Sequence, residues 1–149
     1  MIVRESALHD AVKFVQNAIG AVPGPLDAFL VHRGIRTLHL RMAAHSENAR
    51  AVSEWLATVD GVSDVRWPGF SGMVSFRHPE ATRIAAGCEV FSLAESLGGV
   101  ESLIELPQAM THQSVEGSGA AVPADLVRLS CGIEAAEDLV EDLAQAIGV

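Results

Sequence analysis

Apolar residues recur at helical spacing through the first third of the chain. Leu8, Val12, Val15 and Ile19 fall on one helical face, Ser6 can cap it and Gly20 can stop it, so a helix is predicted over 6–19. Val22–Pro25 (VPGP) breaks the chain, and Pro25 suits the first turn of the next helix. A long helix is then predicted over about 25–59. Leu26, Phe29 and Leu30 mark its first apolar stripe, and Val52, Trp55, Leu56 and Val59 its last, with Gly34 as the point of bending.

After this the period changes to two. Val65 and Trp67 alternate with Asp64 and Arg66, predicting a strand that ends at Trp67-Pro68-Gly69. Val74 and Phe76 alternate in GMVSFR, a second strand. HPEATRIAAG reads as a short helix with Pro79 in its first turn, and EVFSLA as a third strand. Residues 107–124 read as loop, most flexible in Glu116–Pro123. LVRLSC (Leu126–Cys131) is a further strand. Its apolar face is Val127, Leu129 and Cys131, which leaves Arg128 and Ser130 on the other. Leu139, Leu143 and Ile147 mark a last amphipathic helix stopped by Gly148. The order predicts an α+β fold: long N-terminal helices, then a small, mostly antiparallel sheet with helices on one face. No internal linker divides it, so 1–149 is expected to be a single domain.

Composition narrows the function classes. Hydrophobic residues make up 49% of the 149, enough for a core and against disorder. A net charge of −9 argues against nucleic-acid or anionic-membrane partners, which need a basic surface. No apolar run reaches membrane-span length and MIVRESALHD has no signal-peptide core, so a cytoplasmic protein is expected. Glu134, Glu137, Asp138, Glu141 and Asp142 are expected to form the solvated face of the last helix. Cys88 and Cys131 lack zinc spacing and fit buried thiols, a disulfide being unforced. The histidines form no HExxH and no i, i+4 pair, so no metal site is predicted, and no GxSxG marks a serine nucleophile.

Two scarcities matter more. Tyrosine is absent, and Lys13 is the only lysine, so chemistry that needs a lysine–carbonyl adduct must use Lys13 or a lysine of another chain. Two segments could carry chemistry. AESLGGVESLIELP (Ala94–Pro107) is a polar turn in an apolar frame. Its Gly98-Gly99 backbone could cradle an anion or be a plain turn. Arg128, on a strand and followed by Ser130 and Gly132, could grip a carboxylate with two parallel hydrogen bonds or be a surface arginine.

Three blocks in order carry a resemblance: Gly20–Ala49 (GAVPGPLDAFLVHRGIRTLHLRMAAHSENA), Val90–Val115 (VFSLAESLGGVESLIELPQAMTHQSV) and Leu126–Ile147 (LVRLSCGIEAAEDLVEDLAQAI). Together they resemble the C-terminal domain of the pyridoxal-phosphate-dependent Cys/Met-metabolism enzymes, a fold-type I domain, with the strongest likeness to cystathionine γ-synthases and γ-lyases. The resemblance implies that Ala94–Leu103 lines the substrate mouth and that Ser96 helps hold the cofactor lysine. It also implies that Glu95 and Leu97 lie near the substrate side chain and that Arg128 grips the amino acid's α-carboxylate. It places the lysine, the ring-stacking tyrosine and the phosphate contacts in an N-terminal cofactor domain whose motifs this sequence lacks, so no catalytic residue is assigned here. Pyridoxal phosphate is therefore expected only together with a partner: a separate cofactor-domain polypeptide or a full-length paralogue, in a homo- or hetero-oligomer. The alternative is an inactive truncated paralogue acting as a binding or regulatory module. The family also carries a surface helix where Gly69 here runs straight into Phe70. Loops tolerate such a deletion, and the fold is expected to survive it.

Overall fold

The structure is a computed structural model and describes residues 3–112, 114, 117–119 and 121–149. Of the stretch expected to be most flexible, Glu116 and Ala120 lie outside the described residues. The chain divides into two compact units, residues 1–38 and 39–149.

The first unit holds α1 (Ser6–Ile19) and α2 (Pro25–Arg36). Gly20 ends α1 in the left-handed region, φ 69°, where glycine has no Cβ penalty. Glu5 rather than Ser6 is the N-cap, and no side chain caps that end. Pro25 occupies the first turn of α2, where its missing N–H leaves no bond unmade. The apolar stripes exist but are uncovered. No residue of α1 or α2 is buried, and Phe14 is 73% and Leu26 68% exposed.

The single helix expected over 25–59 is two helices. α2 ends at Arg36, and α3 runs from Leu38 to Leu56. The break falls at Thr37 rather than Gly34. Thr37 leaves helical geometry (φ −111°, ψ 8°), and its N–H turns back to the Gly34 and Ile35 carbonyls. Helical periodicity resumes on both sides, so a one-residue break leaves no trace in the apolar pattern.

The second unit is a five-stranded sheet in the order β1-β2-β5-β4-β3. The strands are β1 (Ser63–Arg66), β2 (Met73–Arg77), β3 (Ser92–Leu93), β4 (Leu103–Glu105) and β5 (Leu126–Ser130). All pairings are antiparallel except β3 with β4. Val74, Phe76, Ile104, Val127 and Leu129 face one core. That core also takes Ala49, Val52 and Leu56 of α3, Ile84 of α4 (Ala81–Gly87), and Leu139 and Leu143 of α6 (Ala136–Ile147). The expected α+β architecture is therefore present. Pro79 lies in the turn before α4 rather than in its first turn, β4 was not anticipated, and a one-turn helix α5 (Pro107–Met110) stands where loop was expected.

The direct run from Gly69 to Phe70 closes as a hairpin loop between β1 and β2. Gly69 (φ 84°) and Ser71 (φ 63°) take left-handed conformations, Trp67 Nε1 donates to the Ser71 carbonyl at 3.0 Å, and Ser71 N donates to Ser46 Oγ at 3.0 Å.

The acidic C-terminal segment is not simply a solvated face. Asp142 is buried and accepts the N–H groups of Glu89 at 2.7 Å and of Val90 and Phe91 at 2.9 Å. Glu134, just before α6, accepts the Ser102 N–H and hydroxyl. Charge spacing could not reveal this, because the donors lie more than thirty residues away in sequence. Neither cysteine is in a disulfide. Cys131 is buried and Cys88 half-buried, and burial foremost pushes both thiols up to about 12, with Asp142 adding to the effect at Cys88 and Glu134 at Cys131. Cys131 is accordingly expected to resist iodoacetamide at pH 8 in the native chain and to react quickly in urea. Mass spectrometry of the alkylated peptides checks this.

Candidate carboxylate-binding site

Helices α3, α4 and α6 pack on one face of the sheet, and Arg128 lies on the other. Met73 and Ser75 of β2 and Leu126 and Arg128 of β5 alternate with the core residues and are half-buried on this second face. A cleft of about 720 Å³ lies over it, with Trp67, Met73, Leu126, His112 and Arg128 among its walls. Among the described residues, no group of three or more His, Cys, Asp and Glu could hold a metal ion.

Ser75, Arg128 and Glu105 stand in one row across β2, β5 and β4. The Arg128 side chain is 23% exposed and forms an ion pair with Glu105, which is 1% exposed. Arg128 Nη2 also donates to the Glu95 and Ser96 carbonyls, at 3.2 Å each. Its bonds to the described residues all run from Nη2, and among the described residues Nε and Nη1 have no partner.

The polar turn 94–102 is a pinned loop. It links two parallel neighbours without a helix, which works because β3 has only two residues. Gly98 takes φ 75°, and its N–H donates to the buried Ser130 Oγ at 2.8 Å. Ile133 N donates to the Val100 carbonyl at 2.9 Å, and Gly132 N to Ser102 Oγ at 2.7 Å. From α3, His45 Nδ1 bonds the Cys131 carbonyl at 2.8 Å and Asn48 Nδ2 the Gly132 carbonyl at 3.0 Å, fixing the end of β5. A Cβ on Gly132 would collide with the Val100 backbone and Glu134. Gly132→Ala is expected to cost about 2–3 kcal/mol, because backbone rather than a flexible side chain is in the way. Urea unfolding with an unchanged slope checks it.

Of the four expected site residues, the structure joins Arg128 to the backbone carbonyls of Glu95 and Ser96, with Leu97 next along the same loop. Arg128 lies in the row, and the loop carrying Glu95, Ser96 and Leu97 is tied to it, with those three side chains exposed. Sequence reading missed Glu105 and its partner Thr111, whose hydroxyl donates to Glu105 Oε1 at 2.5 Å. The available signal was an acidic residue inside the apolar run Leu103-Ile104-Glu105-Leu106. Arg128 with this loop suits one end of a small carboxylate ligand. Pyridoxal phosphate does not fit these residues as a covalently held group: Lys13 is exposed on α1, no lysine lines the cleft, and tyrosine is absent.

Comparison with known proteins gives the family. Residues 1–148 match the profile of the family described as Cys/Met metabolism PLP-dependent enzyme. The cystathionine gamma-synthase of Mycobacterium tuberculosis is 51% identical over 168 residues, covering 99% of this chain and 43% of that protein. The cystathionine beta-lyase of Lactococcus lactis subsp. cremoris is 44% identical, covering 94% of this chain and 43% of that protein. Among solved structures, metB from Corynebacterium glutamicum superposes with a TM-score of 0.92 at 40% identity, covering 99% of this chain and 43% of that chain. The chain spans about 43% of the length of the curated relatives it matches. It belongs to the pyridoxal-phosphate-dependent family of Cys/Met-metabolism enzymes.

Proposed function

We propose that this chain is the substrate side of a pyridoxal-phosphate-dependent sulfur amino-acid enzyme, of cystathionine γ-synthase or γ-lyase type. It is not catalytic by itself, and a separate polypeptide bearing the cofactor domain completes the site. The observation that carries the reading is the Arg128 guanidinium. Among the described residues it is held at one nitrogen only, and it lies at the wall of an open cleft lined by no lysine. A planar, permanently charged fork suits the α-carboxylate of an amino acid. Arg128 binds and orients that carboxylate. The pinned loop sets Glu95 and Leu97 beside the substrate side chain and Ser96 toward the partner's lysine. The cofactor and its lysine belong to the partner. The uncovered apolar stripes of α1 and α2 support an assembled state, homo- or hetero-oligomeric, since contiguous exposed apolar surface marks interfaces. A cytoplasmic setting is part of the proposal; among the described residues no helix is long and apolar enough to cross a membrane.

A second reading is a regulatory module that pairs with a full-length paralogue. The alignment to the mycobacterial relative favours it. That match extends over 168 residues while this chain has 149, so the relative carries residues with no counterpart here. Recovery of the tagged chain from its own cells separates the two, scored by the mass of what accompanies it and by visible absorbance. A yellow complex with a lysine-bearing cofactor-domain polypeptide supports the first. A complex with a complete family member, unchanged in activity when Arg128 is substituted, supports the second. A chain recovered alone and colourless, and still colourless with added cofactor, overturns both.

A further inference from the structure

We propose that Glu105 is a positioning residue for Arg128 and that its charge restrains the affinity of the clamp. The proposal rests on the reading of Arg128 as the α-carboxylate anchor. Glu105 lies directly opposite Arg128 in the β4–β5 register and is 1% exposed. A carboxylate so buried is stable only when its oxygens are partnered. Oε1 accepts the Thr111 hydroxyl, and Oε2 meets Arg128 Nη2, with no other partner among the described residues. Thr111 is the C-cap residue of α5, and its Oγ1 also lies 2.8 Å from His112 Nδ1. A polar chain therefore runs from the end of α5 to the clamp. His112 and Arg128 both line the cleft.

Two consequences follow from this geometry. Nη2 is fixed, so the rest of the guanidinium plane is held ready for a ligand rather than free to rotate. A ligand carboxylate must also share one positive charge with Glu105. Two carboxylates on one guanidinium repel each other, and a half-buried site screens that repulsion less than water does. Glutamine is the informative replacement. Its carbonyl can accept from Nη2, and its amide can donate to Thr111 Oγ1, whose hydroxyl has Pro107 O at 3.4 Å and His112 Nδ1 to turn to. The position is kept and the charge removed. Alanine removes both.

The test uses the full 149-residue chain as wild type, Glu105→Gln and Glu105→Ala, with L-methionine as probe. NMR of the Arg128 Nε–Hε group reports both side-chain order and ligand binding. Order is expected to match wild type in Glu105→Gln and to fall in Glu105→Ala. The Kd for L-methionine is expected to drop about tenfold in Glu105→Gln and to rise about tenfold in Glu105→Ala. If Glu105→Ala does not fold, Thr111→Val supplies the loosened state, with lower order at Arg128. Unchanged order in the loosened variant overturns the positioning role. A Glu105→Gln affinity equal to or below wild type overturns the charge restraint. If L-methionine moves the Arg128 signal in no variant, the anchor reading falls and the affinity claim with it, while the order measurement decides the positioning role separately.

Discussion

Replacing Arg128 with alanine is expected to weaken amino-acid substrate binding in the assembled complex by about 2–5 kcal/mol, the range for truncating one partner of a hydrogen-bonded buried charge pair. The effect has two parts, and they can be separated. Arg128 would hold the ligand carboxylate, and it also neutralises Glu105 and ties the Glu95 and Ser96 carbonyls to β5. The alanine variant leaves Glu105 buried without a counter-charge, so stability falls as well, by about 1–3 kcal/mol. The double variant Arg128→Ala with Glu105→Gln removes that orphaned charge. Stability is expected to recover in part, and binding is not. Calorimetric titration beside thermal melting reads both quantities. Unchanged affinity in Arg128→Ala would remove the anchor assignment.

Asp142→Ala should cause the largest loss of stability away from the cleft. One carboxylate serves three consecutive backbone N–H groups at Glu89, Val90 and Phe91. Phe91 is buried and has no water to turn to, whereas Glu89 and Val90 are exposed. The expected cost is about 2–3 kcal/mol, with Asp142→Asn at roughly half, since its amide carbonyl can still accept. Burial pushes the Asp142 carboxyl up, but the N–H donors of Glu89, Phe91 and Val90 and the Gln145 side chain outweigh it, so the group titrates below the ordinary aspartate value. The sign follows. The unfolded chain binds this proton more readily than the folded one, so the stability that Asp142 gives is complete above the unfolded pKa of about 3.9. It is lost as pH falls through the lower folded value. Urea midpoints of wild type and Asp142→Asn should differ by a constant amount from pH 8 to about pH 5 and converge below about pH 4. A constant gap down to pH 3 would contradict the account.

How much of this was legible in sequence depended on whether a feature is local. The ends of α1 and α6 were, because Gly20 and Gly148 mark left-handed caps one residue past an apolar stripe. The faces of β2 and β5 were, because strict alternation placed Val74, Phe76, Val127 and Leu129 inside and Arg128 outside. Thr37 was not, since a single non-helical residue leaves the 3.6 period unchanged on either side. Nor was β4, three buried residues that alternate with nothing. The gathering of Arg128 with Ser96 came from resemblance to a family, not from spacing, because 32 residues separate them. Glu105 and Asp142 were read past for one reason. An acidic side chain in a charged or mixed run looks solvated until the fold shows what it partners.

The central claim is that these residues supply the carboxylate end of a site whose cofactor lysine lies on another polypeptide. Borohydride treatment of the complex purified from its own cells, followed by peptide mass mapping, tests it most directly, since reduction fixes pyridoxal phosphate to the lysine that holds it. The account predicts a pyridoxyl-lysine in a peptide of the second polypeptide and an unmodified Lys13. A pyridoxyl group on Lys13, or a complex in which no lysine is labelled, would contradict it.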